Sequence, residues 1–187
     1  PEMPVIWRQG TTRLLDYRQD YRGETLGNRP RLLVIPSLVN RYYILDLASD
    51  ASFLRHMAGN GFDPFVVDWG APGEAERDFD LTSYVAGYLE AVLDAVKAQA
   101  GGPIFVVGYC MGGNLALALA LRRAADLAGL VCLATPWDFH AENVEQGARA
   151  DAVFLDHALE GDPVGIDLGL VGFDRGLGRF QILPGGA

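Results

Sequence analysis

The sequence predicts an α/β fold, a mostly parallel sheet with helices on both faces, and three observations carry that expectation. Leu32 to Ile35, Phe65 to Val67 and Ile104 to Val107 are short, uninterrupted apolar runs rich in β-branched residues. Strands buried on both faces of a parallel sheet read this way. Between such runs lie stretches with apolar residues at helical spacing. Finally, Gly108-Tyr109-Cys110-Met111-Gly112-Gly113 carries the third run directly into strong helix formers from Leu115, so a strand ends and a helix begins across one sharp turn.

Taken in order, Val5 to Arg8 and Thr11 to Tyr17 are apolar and β-prone with Gln9-Gly10 between them, an opening hairpin. Arg18 to Pro30 is polar and reads as a loop, and Leu32 to Ile35 is a strand closed by Pro36. Ile44, Leu47, Ala48, Ala51 and Ala58 recur at helical spacing, which predicts a helix from about Ile44 to the Gly59-Asn60-Gly61 stop, with Asp46 in its first turn. Phe65 to Gly70 is a further buried strand, and Pro72 to Phe79 is a charged loop expected in solvent. Leu81, Tyr84, Val85, Tyr88, Leu89, Val92 and Val96 form one apolar stripe, a long helix capped by Asp80 and stopped by Gly101-Gly102.

After the sharp turn, Leu115 to Leu121 alternates Leu and Ala. Both are leading helix formers, so Leu115 to Asp126 reads as a buried helix. Gly129 to Ala134 is the next strand, with Cys132 a core residue. Glu142 to Glu160 has the composition of a helix, while Gly161 to Ala187 is glycine-rich with little periodicity, and no further buried strand pair is expected there.

Composition narrows the function. Half the residues are hydrophobic, enough for one globular domain over residues 1–187. A formal net charge of −9 without basic runs excludes a nucleic-acid surface, which needs clustered Lys and Arg. Two cysteines are too few for a disulfide framework, and no signal-peptide pattern opens the chain, so a reducing cytoplasm is the expected setting. The apolar tracts stop short of the roughly 20 residues a membrane span needs. No His or Cys pair has metal-ligand spacing, and the glycine turn lacks both the dinucleotide fingerprint and the Gly-Lys-Ser/Thr of a phosphate loop. No metal and no cofactor beyond a substrate's own are expected.

The chemistry converges on Cys110. Gly-x-Cys-x-Gly between strand and helix is the nucleophile-elbow pattern of the α/β-hydrolase fold, in which a strained residue projects its side chain above the sheet. Gly108 and Gly112 let strand and helix pass closely, and Gly113 keeps the helix start thin. A thiol at a helix N-terminus is favoured as thiolate, and a thiolate exchanges readily with thioesters, so an acyl-CoA is the suggested substrate.

Gly-Tyr-Cys-Met-Gly-Gly closely resembles the lipase-like box of the polyhydroxyalkanoate synthases, which grow a polyester on such a cysteine. Pro36-Ser37-Leu38-Val39-Asn40-Arg41-Tyr42-Tyr43-Ile44-Leu45-Asp46-Leu47 is similar to a second stretch of that family, and Asp68-Trp69-Gly70 and Thr135-Pro136-Trp137-Asp138-Phe139 to two of its strand ends. Asn114 departs from the threonine common there. The resemblance covers roughly residues 5–139, leaving 140–187 as a cap-like or irregular tail. It implies an oxyanion hole from the N–H groups of Val39 and Met111, a growing polyester as second substrate, a homo-oligomer and attachment to polymer granules.

In such a fold the acid and the histidine follow the nucleophile on later strands. His140 comes too early, His157 adjoins Asp156 in the expected tail helix, and His56 sits in an early helix. With Pro1 at its start, the chain is therefore expected to be an incomplete front part, truncated before the last strands. Two alternatives keep the same fold: a thioesterase, esterase or polyester depolymerase passing the acyl group to water, and an inactive fragment or remnant.

Overall fold

The structure, a computed structural model, describes residues 3–18, 28–136, 170–174 and 179–183. Its centre is a six-stranded sheet in the order β1-β2-β6-β3-β7-β8. The strands are β1 (Val5–Gln9), β2 (Thr12–Asp16), β3 (Arg31–Ile35), β6 (Asp63–Asp68), β7 (Ile104–Tyr109) and β8 (Gly129–Leu133). β3 runs parallel to both β6 and β7, and β7 is parallel to β8, while the β1–β2 hairpin joins β6 antiparallel. Parallel neighbours need crossovers, and helices supply them.

Alternation along these strands divides the core between two faces. Leu33 and Ile35 of β3, Phe65 and Val67 of β6 and Val106 of β7 pack on one face with Leu89, Val92, Val96, Leu115 and Leu119, all buried. Leu32, Val34, Val66 and Val107 point the other way and pack with Leu54. The first face is covered by α2 (Glu90–Lys97) and α3 (Gly112–Arg123), the second by α1 (Phe53–Gly59). Each fully buried aliphatic or aromatic side chain contributes about 1.5–3 kcal/mol relative to exposure, so the faces that bury the sheet also hold its register.

Helices on both faces and a mostly parallel sheet agree with expectation, but the long early helix does not. After β3 a short 3₁₀ turn, Tyr42–Leu45, gives way to a small hairpin of β4 (Asp46–Ala48) and β5 (Ala51–Ser52) before α1 begins. Ser52 caps α1 by accepting a hydrogen bond from Arg55 N–H, which places the helix start eight or nine residues later than the periodicity suggests. Ile44 and Leu47, counted as core positions of that helix, are exposed. Asp46 is therefore not a first-turn acid. Its carboxylate takes the Arg55 guanidinium at 2.8 Å and the Tyr17 hydroxyl at 2.7 Å, tying β4 to α1 and to the end of β2.

The helix after Asp80 is present, with Asp80 Oδ1 accepting from Ser83 N–H, but its first part, Ser83–Leu89, is a π-helix that runs into α2. The charged loop before it is not wholly in solvent. Glu76 is 4% exposed and accepts hydrogen bonds from the Thr11 N–H, the Gly73 N–H and the Tyr88 hydroxyl, clasping the β1–β2 turn to the chain after β6. The expected buried helix after the elbow starts at Gly112 and ends in a 3₁₀ turn, Ala124–Asp126. Arg122 and Arg123 in its last turn pair with Glu90 and Asp94, joining α3 to α2.

In the glycine-rich tail two strands do form, β9 (Leu170–Asp174) and β10 (Arg179–Leu183), paired antiparallel as a separate two-stranded sheet. Leu170, Val171, Phe173, Phe180 and Ile182 give these strands β-prone residues that the surrounding glycines hide in a composition window. The expected helix from Glu142 to Glu160 lies outside the described residues. Among the described residues no helix is long and apolar enough to cross a membrane.

Candidate active site

Cys110 occupies the turn between β7 and α3 with φ +53°, in the left-handed region that a side-chain-bearing residue enters at a cost of about 1–2 kcal/mol. Two backbone hydrogen bonds hold it there: its N–H donates to Leu133 O at 2.8 Å, and its carbonyl accepts from Gly113 N–H at 2.8 Å. Leu133 ends β8, so the neighbouring strand as well as the helix fixes the turn. Ala134, the next residue, is also left-handed at φ +49°. Cys110 remains half-exposed at the carboxyl edge of the sheet, available to a ligand above it.

The three elbow glycines are required by close approach, each against a different partner. A Cβ on Gly108 would come within 2.4 Å of the Gly113 Cα, so the strand passes directly under the helix start. A Cβ on Gly112 would lie 2.1 Å from Ile35 O and 2.6 Å from Pro36 O, the exit of β3. At Gly113 it would meet the Thr135 Oγ1 at 1.8 Å. Asn114 adds a tether, its Nδ2 donating to Pro136 O at 3.0 Å. Sequence reasoning noted Asn114 only as a departure from a family pattern; its role depends on the proximity of the β8 exit, which no local signal reveals.

The two expected oxyanion donors differ. Met111 follows Cys110 at the entrance to α3, and its N–H has no partner among the described residues. Val39 stands on the chain leaving β3, its side chain 80% exposed, but its N–H donates to the Ser37 Oγ at 3.1 Å. Ser37 is buried, and the Pro36 carbonyl before it accepts the Trp69 indole N–H at 3.0 Å. Neither Ser37 nor Trp69 was singled out as functional from sequence. The family-like stretch that begins Pro36-Ser37 and the Asp68-Trp69-Gly70 turn were the signals.

Of the other titratable groups, Cys132 lies on β8 opposite Gly108, packs against the core on the α3 side, and has its thiol pushed up by burial. It is a core residue, as expected. His56 is exposed on α1 beside Asn60. His140 and His157 lie outside the described residues. Among the described residues no group of three His, Cys, Asp or Glu could hold a metal ion.

A parallel sheet in this order, with a left-handed residue at the turn from β7 into a covering helix, defines an α/β-hydrolase nucleophile elbow. Comparison with known proteins agrees. A family model of the alpha/beta hydrolase fold matches residues 30–181, and one of the poly-beta-hydroxybutyrate polymerase (PhaC) N-terminus matches residues 2–57. The chain belongs to the α/β-hydrolase fold family and, within it, to the poly(3-hydroxyalkanoate) polymerases.

It is 35% identical to the polymerase subunit PhaC of Haloferax mediterranei over 117 residues, 62% of this chain and 23% of that protein. It is 30% identical to PhaC of Allochromatium vinosum, covering 69% and 37%. The poly(3-hydroxyalkanoate) polymerase of Methylorubrum extorquens is 36% identical, covering 64% and 20%. The chain thus spans between about a fifth and two fifths of the length of these relatives. Among solved structures, a lipase from Acinetobacter baumannii aligns with TM-score 0.56 at 18% identity, over 81% of this chain and 47% of that one. A monoglyceride lipase from Saccharomyces cerevisiae aligns with TM-score 0.52 at 21% identity, over 73% and 45%. At such identities the likeness is one of fold.

Proposed function

We propose that this chain carries the nucleophile of an acyltransferase that polymerises hydroxyacyl-CoA into polyhydroxyalkanoate through a covalent acyl-Cys110. The observation that carries the reading is a partly exposed cysteine with strained, left-handed backbone at the elbow of a polymerase relative. The Cys110 thiolate attacks the thioester carbonyl, the new carbon–sulfur bond forms, and the bond to CoA breaks with CoA leaving as a thiolate that takes up a proton. A hydroxyl of a second hydroxyacyl group then attacks the acyl-cysteine, gives its proton to a base, forms the ester and returns Cys110 as thiolate.

The developing oxyanion is received by Met111 N–H and by Val39 N–H, which it takes over from the Ser37 hydroxyl. No described residue is assigned as the base or its acidic orienter. The cysteine is its own acyl carrier, so no cofactor is invoked beyond the CoA of the substrate. On this reading the full protein works in the cytoplasm at a granule surface and as a homo-oligomer, as the resemblance to the polyhydroxyalkanoate synthases implies.

Incubation with 3-hydroxybutyryl-CoA followed by mass spectrometry should give a hydroxyacyl adduct on Cys110 that is lost in Cys110→Ala. An adduct that survives that substitution overturns the reading. Release of CoA with no polymer, in a protein extended to the length of its relatives, reassigns the acceptor from hydroxyl to water.

A further inference from the structure

We propose that Trp69 is a positioning residue for the oxyanion loop: its indole N–H fixes the Pro36–Ser37 peptide at the exit of β3 and, through Ser37, the Val39 N–H. The kinetic consequence rests on the acyl-cysteine reading; the loop geometry does not.

Three contacts converge on this peptide. Trp69, on the turn after β6, donates its indole N–H to Pro36 O at 3.0 Å, both partners buried. The start of α3 passes close to the same oxygen, leaving no room for a side chain: a Cβ on Gly112 would stand 2.6 Å from it. Ser37 then holds Val39 N–H on its Oγ at 3.1 Å. The parallel ladder between β3 and β7 ends at the pair Ile35–Gly108, so the Pro36 carbonyl lies beyond the last registered pair. A buried carbonyl without a donor is costly, and its escape is rotation toward water. That rotation would carry Ser37 and Val39 N–H with it. Trp69 is itself held firmly: Tyr84 packs edge-on at 5.6 Å, and the Thr11 hydroxyl donates to Trp69 O at 3.2 Å. A single indole N–H thus couples the end of β6 to the loop beside the elbow.

The test is Trp69→Phe, which keeps an aromatic ring and deletes the donor. Two rates are read at Cys110. Acylation by 3-hydroxybutyryl-CoA develops an oxyanion, and alkylation by iodoacetamide does not. The acylation rate should fall by about tenfold to a hundredfold while alkylation is unchanged. Tyr84→Leu removes packing from Trp69 but spares the donor, and should leave the ratio of the two rates as in the native chain.

In parallel, amide hydrogen exchange at Val39 should accelerate in Trp69→Phe while Val34 and Val106 in the sheet keep their protection. A common fall in both rates, or unaltered exchange at Val39, overturns the proposal. If the native chain takes no acyl group, the acyl-cysteine reading fails, and exchange at Val39 alone decides the role of Trp69. Should Trp69→Phe not fold, replacing residue 69 alone by the benzothiophene analogue of tryptophan keeps the shape and removes the N–H for the same measurements.

Discussion

Replacing Gly112 by alanine adds one methyl group at the most crowded point of the elbow. Its Cβ would sit 2.1 Å from Ile35 O, 2.6 Å from Pro36 O and 2.7 Å from Pro36 C. Ordinary contact begins near about 3.5 Å, so the overlap exceeds an ångström. All three atoms are backbone, so no rotamer change can relieve the clash. Overpacking of this kind costs about 1–3 kcal/mol, and rigid backbone on both sides argues for the upper end. Alanine returns about 1 kcal/mol as a better helix former, leaving a net loss of about 2 kcal/mol.

Gly87 provides the internal control. It lies in the π-helical stretch with nothing within 4 Å of an added Cβ, so Gly87→Ala should gain about 1 kcal/mol from propensity alone. For a chain of this size each kcal/mol moves the thermal midpoint by about 2–4 °C, so thermal unfolding followed by circular dichroism should separate the two variants by about 6–12 °C, in opposite directions. If Gly112→Ala matches Gly87→Ala, or is as stable as the native chain, helix and strand do not approach as described and the packing argument for the elbow glycines collapses.

Other consequences are open to equally direct tests. Hydrogen bonds from the Thr11 backbone, the Gly73 backbone and the Tyr88 hydroxyl hold the Glu76 carboxyl at about 2, below its ordinary 4.5. Between those values the unfolded chain binds the extra proton, so this contribution to stability is complete above pH 4.5 and disappears as the pH falls toward 2. Urea midpoints measured across that window should fall less steeply in Glu76→Gln, and parallel acid limbs for the two proteins would refute the clasp. Tyr17→Phe removes a donor from Asp46, whose carboxyl is pushed up by desolvation but held below its usual value overall by hydrogen bonds from Arg55, Ser52 and Tyr17. Chemical denaturation should register a loss of about 1.5–3 kcal/mol, and a loss near zero would mean that Arg55 and Ser52 satisfy the carboxylate without Tyr17.

The elements that announced themselves in sequence were those whose signal is local and one-dimensional. The buried strands β3, β6 and β7 needed only their apolar runs, and the elbow needed only small residues around Cys110. Where tertiary contact chose the structure, sequence misled. The spacing of Ile44, Leu47 and Ala48 imitates a helix, yet Ser52 places the cap later and Asp46 finds its partners in Arg55 and Tyr17. Glu76, in a charged stretch, was assigned to solvent, because nothing near it in sequence discloses the Thr11 and Tyr88 that surround it. Near the elbow, the placing of Cys110 at the turn and of Met111 at the entrance to α3 was legible from the motif, and that of Val39 on the chain leaving β3 from a resemblance. Ser37 and Trp69 were not, since their importance lies in one hydrogen bond each to a loop that only the folded sheet brings beside them.

The left-handed backbone at Cys110 also bears on how such a chain drifts through evolution. Any side chain at this position carries the conformational penalty, and glycine escapes it. A lineage that stopped using the thiol would therefore gain stability from the substitution Cys110→Gly, a single-step mutation that selection for folding alone would favour. A cysteine in this left-handed conformation is a standing cost to the fold, and whether residue 110 gives way to glycine in a lineage records whether the thiol is in use there.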